Sequence, residues 1–318
     1  MARAIRRQPV GVHREDLLRE LEPVAARLFA RHRAATREWY PHELVPYHRA
    51  RDFVAGEAWG PADTDCGGAV LTDAVRSALF VNVLTEDNLP YYFNDISRMF
   101  GVDSAWGQWA RWWTAEEGRH AIVLRDYLTV SRALDLRELE RARMLQVSGG
   151  DAPAPTGPHQ GFVYLCLQEL ATRISHRNTG AMVGDPVAKD VMGRIAFDEN
   201  LHYLFYRDLT TAGLEVDPSG MVCAMAEVVR DFKMPGKGIP DFERHARAIA
   251  AAGIYDLATF HDEVLVPMVL RHWRLEEVGP LTDEAERARD QLLAHIARVG
   301  RIAGRLAERR AAVSAPAG

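Results

Sequence analysis

Two short stretches of this chain decide its fold: WTAEEGRH at residues 113–120 and DENLH at residues 198–202. Each holds a Glu and a His three residues apart, Glu117 with His120 and Glu199 with His202. Side chains at positions i and i+3 lie on one face of a helix, so both members of a pair can reach one ion. A single such pair arises easily by chance, and the placement of the two pairs is therefore the stronger signal.

Two more glutamates extend the pattern. The chain predicts four long helices, over about 72–98, 104–133, 159–182 and 186–212, with Glu86 and Glu169 near the middle of the first and third. Antiparallel helices of this length, joined by short turns, bring mid-helix residues to one height. A Pro- and Gly-rich crossover near 149–158 separates the second helix from the third. The spacing therefore predicts an all-α, ferritin-like four-helix bundle.

Further helices are predicted on both sides of this bundle. One covers 13–40 and precedes an irregular segment at 41–70, and others cover about 218–232, 241–251, 255–277 and 282–310. The predicted architecture is thus a ferritin-like four-helix bundle core with additional N- and C-terminal helices. We expect a single domain over 1–310, followed by a disordered tail at 311–318.

A cluster of four carboxylates and two imidazoles in an apolar core requires a physical reason. A lone carboxylate among Phe, Val and Leu side chains is costly to bury, whereas two divalent ions would neutralise all four. Mixed oxygen and nitrogen ligands with open positions suit Fe(II), suit Mn(II) less well and suit a structural zinc site poorly. The sequence therefore predicts a two-metal centre. Its candidate ligands are Glu86, Glu117, His120, Glu169, Glu199 and His202.

Composition excludes several other classes of protein. The net charge of −5 is not that of a protein that binds duplex nucleic acid. The three cysteines are too far apart in the sequence to indicate a metal site or a disulfide framework. No run of about 18 apolar residues exists, so we expect no membrane span and a cytoplasmic location. The first 51 residues hold 11 Arg against six Asp and Glu. This excess of positive charge is typical of a solvated helix face or of a binding surface for an acidic partner.

Beyond the candidate ligands, the chain resembles the soluble acyl-[acyl-carrier-protein] desaturases, which are di-iron enzymes of plants and actinobacteria. The resemblance is carried by TEDNLP at 85–90, WTAEEGRH at 113–120, QELATRISHRNT at 168–179 and DENLH at 198–202. It continues through 234–235, 253–255 and 272–274 and covers about residues 40 to 300.

This resemblance implies an activity and a set of partners. The implied enzyme inserts a cis double bond into a fatty acyl chain tethered to acyl carrier protein, in fatty acid biosynthesis. It uses two iron ions, dioxygen and electrons from a ferredoxin-like donor, and it works as a homodimer.

The resemblance also implies roles for individual residues. Glu86 and His120 would be terminal ligands of one iron, Glu169 and His202 of the other, and Glu117 and Glu199 would bridge the two. Thr172 matches a threonine on the oxygen-binding side of the cluster, although a helical threonine bonded to its own backbone is the alternative. Asp198 matches an acid that orients a ligating imidazole. Trp59 matches a tryptophan in the same relay, an electron route, with a packed surface tryptophan as the alternative.

Three departures from the family pattern leave the function partly open. Gly118, the pair Asn200-Leu201 and Arg177 replace residues that are usual in the family, yet none of them removes a ligand. A di-iron oxygenase that hydroxylates a carrier-tethered acyl or aminoacyl chain remains an alternative. A non-catalytic metal-binding protein on the same scaffold is another.

Overall fold

The computed structural model describes residues 14–60, 64–66, 71–150, 152–153, 155–236 and 238–314, and the regular structure within these ranges is entirely helical. The helices are α1 (Arg14–Ala35), α2 (Pro41–Leu44), α3 (Asp73–Glu86), α4 (Leu89–Phe100), α5 (Ser104–Ser131), α6 (Leu136–Gly149), α7 (Pro158–Met182), α8 (Pro186–Val216), α9 (Pro218–Asp231), α10 (Phe242–Ala251), α11 (Leu257–Thr259) and α12 (Asp283–Ser314). Helices α3, α5, α7 and α8 contact one another as the central bundle. The predicted all-α architecture, with extra helices at both ends, is confirmed.

Local sequence explains where the bundle helices begin. The Asp185 carboxylate accepts hydrogen bonds from the backbone N–H groups of Val187 and Ala188, and Pro186 occupies the first position of α8. The Thr72 hydroxyl accepts from the backbone N–H of Val75 at the start of α3. These caps satisfy N–H groups that have no partner within the helix.

The first predicted bundle helix, 72–98, is two helices in the structure. Helix α3 ends at Glu86 and α4 starts at Leu89, with Pro90 in its first turn. Proline has no N–H, and its ring clashes with the preceding turn, so an uninterrupted helix through this point is disfavoured. Glu86 therefore lies at the C-terminal end of α3, not in the middle of a long helix.

Two other stretches between α5 and α12 differ from the sequence prediction. Helix α6 was not predicted, although Asp135 caps it by accepting from the N–H groups of Arg137 and Glu138. The stretch predicted as one helix over 255–277 is α11, a π-helix at Phe260–His272 and a 3-10 turn at Leu275–Glu277. Pro267 lies inside that π-helix, where a missing N–H disturbs the regular hydrogen-bond ladder.

The C-terminal helix reaches further than predicted. Helix α12 continues to Ser314, four residues into the expected tail, and residues 315–318 lie outside the described part of the chain. The division into one domain and a tail stays a prediction. Among the described residues, no helix has the length and apolar character needed to cross a lipid bilayer.

Two apolar clusters fill the bundle, one on each side of a polar layer. The first includes Trp109 of α5 and Phe205 of α8, and the second includes Val123 of α5 and Ile195 of α8. On both helices the Glu-x-x-His motif lies between these apolar positions. The apolar clusters supply the burial that stabilises the bundle, and the polar layer is the place to look for a site.

Candidate metal centre

The structure brings the six predicted ligands together from four helices. Their nitrogen and oxygen atoms form two groups, within each of which all atoms lie within 4.8 Å of one another. The groups are Glu86, Glu117, His120 and Glu199, and Glu117, Glu169, Glu199 and His202. Since Glu117 and Glu199 belong to both groups, the arrangement has the form of two adjacent sites that share two carboxylates.

Four nitrogen and oxygen atoms of this cluster lack hydrogen-bond partners among the described residues. All six side chains are buried. Within the cluster, Oε1 of Glu117, Oε2 of Glu199 and the Nδ1 atoms of His120 and His202 have no partner at hydrogen-bond geometry. Nδ1 of His202 lies 2.9 Å from Oε1 of Glu117 and 3.6 Å from Oε2 of Glu169. Buried polar atoms left unpaired are costly, so these residues fit a bound pair of divalent cations.

The electrostatics of the cluster agree with a site built for positive charge. Burial, followed by repulsion from Glu117, raises the pKa of Glu86, and burial with repulsion from Glu199 raises the pKa of Glu169. Burial by itself lowers the pKa of His202, but the hydrogen bond with Glu116 and the nearby carboxylates of Glu117, Glu169 and Glu199 outweigh burial and raise the pKa well above its usual range. Raised pKa values on carboxylates and an imidazole alike are what a cluster that attracts positive charge should show.

The outer nitrogen of His202 is held by a glutamate. Oε2 of Glu116 lies 3.0 Å from Nε2 of His202 and 2.8 Å from Nε2 of His32 in α1. The indole N–H of Trp112 donates to Oε1 of the same carboxylate at 2.9 Å. Despite burial, these hydrogen bonds hold the pKa of Glu116 well below its usual range. We call these residues the His202 arm: His202, Glu116, His32 and Trp112.

The outer nitrogen of His120 is held by an aspartate. Oδ2 of Asp198 lies 3.4 Å from Nε2 of His120, and it accepts from the indole N–H of Trp39 at 2.9 Å. Arg119 also donates to that oxygen, at 3.3 Å. We call these residues the His120 arm: His120, Asp198, Trp39 and Arg119. Each arm joins α5 to α8, because the acid that precedes a shared glutamate on one helix bonds the histidine of the other.

A third buried imidazole supports Glu86. Nε2 of His176 lies 3.3 Å from Oε1 of Glu86, and Nδ1 of His176 lies 3.3 Å from the amide nitrogen of Asn82. Burial lowers the pKa of His176 to about 4, so its ring is neutral. The Asn82 amide donates to Nδ1, which leaves the proton on Nε2, and Nε2–H donates to Glu86. The carboxylate of Glu169 accepts from the Trp113 indole at 3.1 Å.

Trp59 does not lie in the relay that the resemblance assigned to it. Its indole N–H donates to the backbone oxygen of Arg132 at 2.8 Å, far along α5 from His120. The tryptophan that bonds Asp198 is Trp39, whose ring also stacks over His120 with centroids 6.4 Å apart. The assignment of Trp59 is therefore corrected to Trp39. A residue between α1 and α2 reaches the site only because α1 packs against α5 and α8.

Thr172 lies beside the cluster on α7. Its hydroxyl donates to the backbone oxygen of Gln168 at 3.0 Å, and the Gln168 side-chain amide donates to the hydroxyl at 2.9 Å. Thr172 also lines the cavity that reaches the cluster. Both alternatives for Thr172 therefore hold at once, since its hydroxyl is bonded to its own helix backbone and also lies beside the cluster.

A narrow cavity leads away from the cluster between α4 and α7. Its lining includes three cluster carboxylates, Glu86, Glu117 and Glu199. Other lining residues are Thr85, Tyr92, Asp95, Ile96, Met99, Trp113, Pro153, Pro155, Tyr164, Leu165, Gln168, Thr172 and Pro235. Its volume of about 40 Å³ is room for roughly three water molecules, because each needs about 10–15 Å³ by this measure. A larger guest must therefore displace side chains, and flexible Met99 is suited to that.

Sequence reasoning missed several residues around the ligands. Glu116 had a signal, because it precedes Glu117 as Asp198 precedes Glu199. His176 lies seven residues after Glu169, two turns along the same helix face. His32 and Trp39 had no local signal, since their partners are 84 and 159 residues away.

Comparisons with known proteins point to one family. The sequence profile of a family described as "Fatty acid desaturase" matches residues 13–317. The chain is 42% identical to "Putative acyl-[acyl-carrier-protein] desaturase DesA1" of Mycobacterium tuberculosis over 289 residues, which cover 87% of this chain and 83% of that relative. It is 34% identical to "Acyl-[acyl-carrier-protein] desaturase 7, chloroplastic" of Oryza sativa over 303 residues, which cover 88% of this chain and 74% of the relative.

A solved structure has the same fold. It is described as an X-ray structure of "putative acyl-ACP desaturase DesA2" from Mycobacterium tuberculosis, and it matches with a TM-score of 0.66 and 25% sequence identity. The match covers 86% of this chain and 98% of that chain.

Proposed function

Since this chain belongs to the fatty acid desaturase family, we propose that it is an acyl-[acyl-carrier-protein] desaturase. The enzyme inserts a cis double bond into a fatty acyl chain tethered to acyl carrier protein, as a step of fatty acid biosynthesis. The observation that carries the proposal is the pair of ligand groups that share Glu117 and Glu199 beside a cavity.

The metals of this proposal are two iron ions, and manganese is the second choice. Glu86 and His120 would hold one ion, Glu169 and His202 the other, and Glu117 and Glu199 would bridge them. When bound, the iron pair would supply dioxygen reduction and the oxidising power that removes two hydrogens from the chain. The buried, unpaired nitrogen and oxygen atoms of these side chains support this assignment.

The protein's own residues supply position and exclude water. Glu116 and Asp198 accept from the outer nitrogens of the two histidines, so each Nδ1 points toward the cluster. Thr172 offers a hydroxyl beside the cluster, and Trp113 fixes the Glu169 carboxylate. The apolar wall formed by Ile96, Met99 and Leu165 would hold an unactivated chain against the metals.

The partners belong to the same proposal. Acyl carrier protein delivers the chain, and the arginines of the N-terminal region are its proposed docking surface. A ferredoxin-like protein supplies electrons, for which Trp39 and Asp198 form a route from the α1–α2 connection to His120. We place these partners in the cytoplasm and propose that two copies of the chain form the enzyme.

The mass of the product tests the activity. Iron-loaded protein is incubated with dioxygen, a reducing system and a panel of carrier-tethered acyl chains. A product lighter by two hydrogens supports desaturation, whereas a product heavier by one oxygen establishes the hydroxylase alternative. Absence of iron binding and of oxygen-dependent turnover would leave only a non-catalytic role.

Docking is tested separately. Reversing the charge of several exposed arginines of α1, such as Arg19, Arg27 and Arg33, should weaken carrier-protein binding and reduce its dependence on salt. Unchanged affinity with an unchanged salt response would place the docking surface elsewhere.

A further inference from the structure

One wall of the cavity beside the metal ligands is more polar than a plain hydrocarbon chain requires. Helix α4 presents Tyr92, Asp95, Ile96 and Met99 to the cavity, at positions that fall on one helix face. Two of these four side chains carry oxygen. A pocket built only for methylene groups is expected to be apolar on all sides, because a buried polar group without a partner lowers stability.

The Tyr92 hydroxyl has no partner at hydrogen-bond geometry among the described residues. Its oxygen is buried, and the polar group that interacts with it is the Asn88 side chain, which lies outside strict hydrogen-bond geometry but still lowers the pKa of the phenol against the effect of burial. Burial raises the pKa of Tyr92 above its usual range, so the phenol stays protonated and can both donate and accept. By contrast, the hydroxyl of adjacent Tyr91 donates to the backbone oxygen of Val147 at 2.5 Å.

Asp95 lies one turn along α4 from Tyr92 and lines the same cavity. Its side chain is only 14% exposed, whereas that of its ion-pair partner Arg98 is 64% exposed. Arg98 donates to Oδ1 at 2.8 Å, so the negative charge is already balanced from the solvent side. A carboxylate in this state favours a neutral hydrogen-bond donor over a second cation.

We propose that the preferred substrate is a carrier-tethered acyl chain that bears a hydroxyl group, which bonds Tyr92 and Asp95 while the neighbouring methylenes lie against the metal centre. A hydroxyl matches both residues, because it can donate to the Asp95 carboxylate and accept from the Tyr92 phenol. An unsubstituted chain would leave the Tyr92 hydroxyl buried without a partner. This inference rests on the proposed function and adds the substrate class.

The test compares two kinds of carrier-tethered chain. We would measure kcat/KM of the iron-loaded enzyme for hexadecanoyl carrier protein and for a set of hydroxyhexadecanoyl carrier proteins with the hydroxyl moved one carbon at a time. Fluorescence anisotropy with metal-free protein gives the affinity for the same conjugates. We expect one hydroxyl position to exceed the plain chain by about tenfold to a hundredfold in both measurements.

Three variants connect this preference to the two residues. Tyr92→Phe and Asp95→Leu should each bring the ratio between hydroxylated and plain chains toward one. Tyr91→Phe is the matched control, because Tyr91 does not line the cavity, and it should keep the wild-type ratio. Melting temperatures check that each variant folds. The wild-type ratio between hydroxylated and plain chains tests the inference even if a variant fails to fold.

Two failures are distinguishable. If the wild type converts the plain chain at least as well as every hydroxylated chain, or if both cavity variants keep the wild-type ratio, the hydroxyl inference is overturned and the desaturase stands. If iron-loaded wild type converts no chain of the panel, the proposed function is overturned and the inference with it.

Discussion

The His202 arm and the His120 arm are built from the same sequence motif but differ in how closely the acid approaches the histidine. In each, the acid before a shared glutamate crosses between α5 and α8 to bond a histidine of the other helix. Glu116 reaches Nε2 of His202 at 3.0 Å, whereas Asp198 stays 3.4 Å from Nε2 of His120. The longer glutamate side chain approaches its histidine more closely.

The two arms also differ in what lies behind the acid. The His202 arm is backed by His32, which is buried in α1, while the His120 arm is backed by Arg119, whose side chain is 23% exposed. One arm is therefore enclosed and the other reaches toward solvent. One sequence motif can therefore serve two purposes. The residues that pack behind the acid decide whether the histidine ligand is enclosed or connected to the surface.

Removing a ligand from the metal site that His202 serves should have the largest effect. Glu169→Ala and His202→Ala each delete a donor from one proposed site, so we expect iron content to fall from about two ions per chain to one or fewer. Metal analysis of purified protein checks this result, with His295→Ala, far from the cluster, as the control. Unchanged iron stoichiometry would reject the assignment of Glu169 and His202 as ligands.

The pH dependence of metal binding tests whether the six-residue ligand cluster, including the histidine of each arm, holds protons when the metal is absent. The pKa values of Glu86, Glu169, His120 and His202 are all raised. These groups release protons when cations bind, so the apparent affinity should rise with pH by about tenfold per unit for each proton displaced. Cobalt titrations between pH 6 and 9 measure the slope, and a flat profile would contradict it.

The same pKa shifts set the sign of the effect on stability. A group whose pKa is raised on folding stabilises the protein below its unfolded pKa, and this contribution is lost as pH rises through the folded value. Glu116, Glu117 and Glu199 have lowered pKa values and are ionised throughout pH 6 to 9. The free energy of unfolding of metal-free protein should therefore fall across this window, and added metal should reverse the trend.

Changing the two crossing acids compares the arms directly. Glu116→Gln and Asp198→Asn keep the shape of each side chain but remove its charge, and each should weaken metal binding by about tenfold to a hundredfold. We expect the larger loss for Glu116→Gln, because its hydrogen bonds are shorter. A cobalt titration measures the metal affinity of each variant. Equal losses of affinity, or a larger loss for Asp198→Asn, would contradict the prediction that Glu116 contributes more to metal binding than Asp198.

The two tryptophans sharpen the assignment of the His120 arm. Trp39→Phe removes the N–H that donates to Asp198 and should slow reduction of the metal centre by the electron donor, by roughly tenfold. Trp59→Phe should leave that rate unchanged, because Trp59 bonds Arg132 instead. Stopped-flow reduction of the iron-loaded variants measures both rates, and the opposite ranking would restore Trp59 to the relay.

The smallest effect concerns the helix between the two ligands of α5. A Cβ added at Gly118 would meet only Leu89 at 3.9 Å, which is ordinary contact distance. Gly118→Ala should therefore raise the free energy of unfolding by about 0.5–1 kcal/mol and leave metal content unchanged. Urea denaturation measures the gain, and destabilisation would show that α5 needs the glycine for packing.

The chain's local pattern was enough to predict the all-α bundle and to select the six side chains that the structure brings together. A Glu-x-x-His pair fixes its own geometry, because three residues of helix place both side chains on one face. The similar lengths of α5 and α8, 28 and 31 residues, with each pair near the middle, then bring the pairs to one level. Pro90 also marks the break between α3 and α4 in the sequence. The apolar pattern nevertheless predicted one continuous helix, which placed Glu86 near its middle instead of at the end of α3.

Tertiary structure alone decided which residues stand behind the ligands. His32 and Trp39 reach the centre because α1 packs across α5 and α8, and Trp59 is excluded from it because its segment packs near the far end of α5. Periodicity describes one helix at a time, whereas these partners lie up to 159 residues apart. Contacts over such separations depend on how whole helices pack, and no local spacing encodes that packing.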